Sequence, residues 1–175
     1  MSQQRLYDNI VSVLKEAQLK LGYEEHAIGV NYITRSLCHL LGCGEAEVEG
    51  ELAAFSQNYA DVLGRIEFAA RENGFRLTVP VKGVSYVHSI LEENEFLSVF
   101  IRTVKKPLCT VDDVRSVFYS FSDKVHFERV DNGEFDYLIY FEEEGIDDFW
   151  YCLHDDDLQL EYHRFIREDY LDFNF

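Results

Sequence analysis

The stretch 124-KVHFERVDNGEFDYLIYFEEEGIDDFWYCLHDDDLQLEYH-163 decides the fold. Apolar and polar residues alternate along it with a period of two, the repeat of a half-buried strand. Four strands are legible, at 124–130, 134–142, 148–154 and 158–163, separated by short polar turns. Val125 and Phe127 fall on one face, with Phe135, Tyr137, Ile139 and Phe141, then Phe149, Tyr151 and Leu153, then Leu158, Leu160 and Tyr162. A two-residue Asn-Gly turn after Val130 would set Phe127 opposite Leu138 and break that agreement. A three-residue loop, Asp131-Asn132-Gly133 with Gly133 left-handed, preserves it. The stretch therefore predicts a four-stranded antiparallel meander.

Upstream the period changes. Leu6, Ile10, Val13, Leu14, Ala17 and Leu21 form one face of a helix that Gly22 can end. Ile33, Leu37, Leu40 and Leu41 predict a second helix stopped by Gly42. Val48, Leu52, Phe55, Tyr59, Val62, Ile66 and Ala69 step by fours and threes, predicting a helix over 45–73. Such a seam usually packs within its own domain, and a homodimer through it is the further reading. A short strand at 75–79, closed by Pro80, precedes helical patterning from Val81 to about Lys105 with a break near Asn94. Thr110 and Asp113 then offer an N-cap to a helix carrying Val114, Val117, Phe118 and Phe121. The fold class is α+β: an N-terminal helical layer, mainly helical over 1–121, packed on the meander. A C-terminal segment, 164–175, follows it, and the whole of 1–175 reads as one domain.

At 175 residues, with 14 Phe and 11 Tyr, the chain can bury a core without a staple. No secretory signal precedes the first helix, and no apolar run approaches the ~18 residues of a spanning helix. Cys38, Cys43, Cys109 and Cys152 form no C-x-x-C pair, so free thiols in a cytoplasmic protein are expected. Residues 1–87 hold 11 acids and 8 bases, net −3, whereas 88–175 hold 22 acids and 8 bases, net −14. That imbalance disfavours nucleic acid and anionic membranes, and suits either plain solubility or a basic protein partner.

The run Tyr162-His163-Arg164-Phe165-Ile166-Arg167-Glu168-Asp169-Tyr170-Leu171-Asp172-Phe173, together with the amphipathic start and Leu21-Gly22-Tyr23, resembles a bacterial domain family of unknown function. Similar length extends the resemblance over the whole chain. The family has no assigned activity, so the resemblance implies no site residue.

The outer face of the meander holds the candidate chemistry. His126, Glu128, Asp136, Tyr140, Trp150, Cys152, His154, Glu161 and His163 should lie there, with Asp136 opposite His154 and Tyr140 opposite Trp150. Cys152, His154 and Asp136 supply the thiol, imidazole and carboxylate of nucleophilic catalysis. Two features oppose that reading: i,i+2 side chains stand roughly 7 Å apart on a strand, and an acidic surround raises a thiol pKa. A covered aromatic face, closed by a loop or the C-terminal segment, is the ordinary alternative. His154 with Asp155, Asp156 or Asp157, or His163 with Glu161, could approach a metal, but no zinc spacing recurs and glycine is absent where a calcium loop requires it. Phosphate-binding glycine motifs and a nucleophile elbow are absent, and no cofactor is implied. The favoured reading is a non-enzymatic, acidic protein-binding module. Its contacts would be Trp150, Tyr140, His154, Glu161 and Asp155, Asp156 and Asp157. The alternative is a small hydrolase or metal-assisted enzyme on the same face.

Overall fold

Leu6, Ile10 and Leu14 are fully buried along the first helix, α1 (Ser2–Leu21), as their spacing requires. The computed structural model describes residues 2–173; the last two residues of the C-terminal segment lie outside them. The chain divides into two compact units, Met1–Leu91 and Glu92–Phe175. Among the described residues no helix is long and apolar enough to cross a membrane.

In the first unit α1 leads to β1 (Ile28–Ile33), α2 (Thr34–Leu41), a 3-10 turn (Glu45–Glu47), α3 (Val48–Asn58) and the single turn α4 (Ala60–Leu63). A hairpin follows, β2 (Glu67–Arg71) and β3 (Gly74–Val79), then α5 (Val81–Ile90). The strands form an antiparallel sheet in the order β1-β3-β2. The expected strand at 75–79 is present as β3. Its two neighbours sit where a helical reading of the first 121 residues placed none. The 45–73 helix is also shorter than its periodicity implies. Val48, Leu52 and Phe55 are buried as expected, but the helix ends at Asn58, and Gly64, with φ +73, turns the chain into β2. Ile66 is buried and Ala69 continues in a strand: steps of three and four ran on by coincidence into a strand of five residues. The buried residues of the seam, Val48, Leu52, Phe55 and Ile66, belong to the first unit.

In the second unit α6 (Phe96–Val104) and α7 (Val111–Phe121) precede β4 (Val125–Arg129), β5 (Tyr137–Phe141), β6 (Phe149–Asp155), β7 (Leu160–Ile166) and α8 (Arg167–Asp172). The four strands form the expected meander, β4-β5-β6-β7. Thr110 caps α7 as its spacing predicted: its hydroxyl accepts from Asp113 N, and the Asp113 carboxylate accepts from Thr110 N. Helices α6 and α7 close the inner face of the sheet. Phe96 stands edge-on to Phe118 (4.8 Å) and Phe141 (4.8 Å), and Phe100 edge-on to Tyr151 (4.7 Å) and Tyr162 (4.9 Å). These crossings are the favoured geometry of ring quadrupoles.

Register differs from expectation in detail. Phe127 faces Ile139, two residues beyond the partner a three-residue loop would give, so every side chain keeps its face. The loop is longer because Val130 N already donates to Asp136 O, and Asn132 Oδ1 accepts from the amides of Glu134 and Phe135. Gly133 is left-handed, φ +91, as required. Two inner-face expectations fail. Phe135 lies in this loop and joins the outer face, and Leu158 lies in the β6–β7 turn and is exposed.

Candidate functional site

Alternation along β5, β6 and β7 sends Leu138, Tyr140, Trp150, Cys152, His163 and Phe165 to the outer face, where cross-strand pairing sets their neighbours. Tyr140 and Trp150 stack in parallel at 4.1 Å, and Cys152 pairs with Leu138 on one side and His163 on the other. Phe135, Leu138 and Cys152 are buried there. The C-terminal segment covers part of this face: the Tyr170 ring of α8 lies 5.2 Å from Trp150, and Phe173 packs 5.3 Å from Phe165. The face is thus a second, smaller core, with Trp150 and Tyr140 half-buried at its margin.

This packing bears directly on the proposed nucleophile. Cys152 is fully enclosed, and burial pushes its thiol up to about 12, so almost no thiolate exists at neutral pH. Asp136 does lie opposite His154, as the register predicts, with Oδ2 3.1 Å from Nδ1. That separation lacks the alignment of a hydrogen bond, and the same oxygen accepts from Asp155 N at 2.8 Å. The three side chains share a face, but the carboxylate serves the strand end and the thiol is sealed.

The acidic residues divide by role. Asp155, Asp156 and Asp157 form a self-bonded turn in which Asp155 Oδ1 accepts from Asp157 N, and Asp156 Oδ1 accepts from Leu158 N and Gln159 N. Those amides hold the Asp156 carboxyl below its usual range. Glu161 faces His154 across β6 and β7. At the other end of the face His126 stacks on Tyr140 at 4.7 Å, with its Nε2 2.9 Å from Glu128 and its Nδ1 3.8 Å from Glu142. Glu143 is engaged by Ser122 and Lys124.

One polar cluster escaped the sequence reading. Strand β7 continues to Ile166, three residues past its expected end, which places Arg164 on the inner face opposite Tyr151. Its guanidinium stacks 4.1 Å from the Phe149 ring and 4.0 Å from the Asp147 carboxylate, with the two side chains only 4% and 8% exposed. Asp147 also accepts from Phe149 N and from the Tyr151 hydroxyl. Burial nevertheless raises its carboxyl to about 6. Asp147 reads as one more acid in a solvated turn. Extending the alternation by one step, to Arg164 after Leu160 and Tyr162, is the signal that a buried carboxylate was needed.

With this geometry in hand, residues 3–174 match the family model described as a domain of unknown function, E. rectale gene description (DUF3877). No curated protein and no solved structure matches the chain.

Proposed function

We propose that this chain, which belongs to the DUF3877 family of unknown function, is a non-enzymatic cytoplasmic module that binds a basic protein partner. The observation that supports the reading is the setting of His126. One side chain that becomes cationic on protonation already lies between two carboxylates, Glu128 and Glu142, and against the Tyr140 ring. A lysine or arginine of a partner meets the same chemistry along this margin, where Trp150 and Tyr140 add apolar area and Asp155, Asp156, Asp157 and Glu161 add attraction at longer range. The sealed, high-pKa Cys152 counts against the hydrolase reading of the same face.

Affinity co-purification from the native cytoplasm tests the proposal. A stoichiometric basic protein should be retained at low salt, be lost at about 0.5 M salt, and fail to bind Glu128→Lys/Glu142→Lys. Retention unchanged by that double reversal would remove this margin from the site.

A further inference from the structure

The first unit carries an arrangement that the functional reading above does not use. Strand β1 lies between α1 and α2, the pair α2–α3 is joined by residues 42–47, and a β2–β3 hairpin returns β3 between β2 and β1. Helix, strand, two helices and hairpin, closed as a β1-β3-β2 sheet, is the topology of a winged helix-turn-helix. Its sequence cues are present: Gly42 ends α2 in the left-handed conformation, φ 64, and Leu37, Leu40, Leu41, Val48, Leu52 and Phe55 are buried along the two helices. In such modules the second helix presents its N-terminal end and outer face to a ligand, and the hairpin flanks it.

Here the helix is unsuited to a phosphate backbone, although the hairpin carries Arg71 beside Glu72. Glu45, Glu47, Glu49 and Glu51 crowd the start of α3 and the turn before it. Glu47 is engaged by Gly44 N and Glu51 by Gln3, but the side chains of Glu45 and Glu49 make no hydrogen bond or ion pair among the described residues. The wing is short, and Thr34 N donates to Asn73 O at its tip, which holds it against the start of α2. The exposed face of α3 carries Glu49, Gly50, Ala53 and Gln57. Small side chains at its centre permit a close interhelical approach, and acids at one end select for positive charge.

We propose that the N-terminal unit is a winged-helix docking module that binds a basic α-helix of a protein along α3, and does not bind duplex DNA. This surface is built from other residues than the margin around His126, so either can fail without the other.

The probe is an 18-residue amphipathic helical peptide of Leu, Ala and Lys, titrated into the full chain with backbone amide NMR, beside a 20-base-pair duplex. The peptide should move amides at 45–57, and both Glu45→Lys/Glu49→Lys and Ala53→Trp should weaken it by about tenfold. The duplex should move none of them at low salt. Saturable duplex binding at 45–57 would overturn the proposal. So would a proline-interrupted peptide of equal charge binding as tightly, because charge alone would then explain the effect. Shifts confined to residues 124–166 would sink it while leaving the His126 reading intact, and absence of any saturable shift would sink it as well.

Discussion

The two faces of the four-stranded sheet are built from the same alternating strands, yet they are closed to different depths. On the inner face α6 and α7 drive Phe96, Phe100 and Phe118 into Phe141 and Tyr151, and Phe100, Phe118 and Tyr151 are completely buried. Part of the outer face is covered by α8, a helix of six residues with no buried side chain of its own. The difference teaches where each face can yield. Exposing the inner face means separating two helices from the sheet, a global event. Exposing the outer face means only lifting one short helix, a local one.

The strongest way to break this comparison is Phe118→Ala, which removes a fully buried ring from the inner face. We expect a loss of roughly 3–5 kcal/mol in urea unfolding; a loss under 1 kcal/mol would show that the face is not a rigid core. Asp147→Asn comes next, because it replaces a carboxyl whose ionisation the fold opposes with a neutral side chain of the same shape. Its pH signature has a definite sign. The folded carboxyl sits near 6, above its ordinary 3.8, so its stabilising contribution is full below 3.8 and is lost as pH rises through 6. The wild type should therefore lose about 2–3 kcal/mol across that window, and the Asn variant should lack this slope in denaturation midpoints. Asp113 and Asp156, held below their usual range by backbone amides, act in the opposite sense and only at lower pH.

The outer face should respond less. Trp150→Ala removes a half-buried ring and should cost roughly 1–2 kcal/mol, so it perturbs fold as well as binding; Glu128→Lys/Glu142→Lys is the cleaner probe of the margin. Tyr170→Ala should cost roughly 1 kcal/mol and accelerate alkylation of Cys152 in a background with the other three cysteines replaced by serine. Equal labelling rates with and without Tyr170 would mean that Cys152 is reached only by global unfolding, and the contrast between the faces would collapse. Smallest of all, charge reversal at Glu128 and Glu142 should leave the midpoint within about 0.5 kcal/mol.

The meander was legible in the sequence because each strand has one face on a core and one that is more polar, which writes the period of two directly into the residues. Register between β5 and β6 followed as well, bringing Asp136 to His154 and Tyr140 to Trp150. The sheet of the first unit was not legible. Strand β1 does alternate, with Ile28, Val30 and Tyr32 on one face, but the run is short and its last residue, Ile33, fits the spacing of the following helix; β2 lies at the sheet edge with Glu67, Ala69, Ala70 and Arg71 exposed, so its composition carries little imprint of a core.

By itself the sequence determined the α+β class, the four-strand meander, the cap at Thr110 and the lopsided acidity, because local periodicity, hydrogen-bonding chemistry and charge act within a few residues. Tertiary structure decided the rest. It buried Cys152 in a cluster against which Tyr170 packs, buried Asp147 against Arg164, and folded a mainly helical-looking segment into a three-stranded sheet around a helix pair. Burial and strand pairing depend on residues far apart in sequence, and no window along the chain contains both partners.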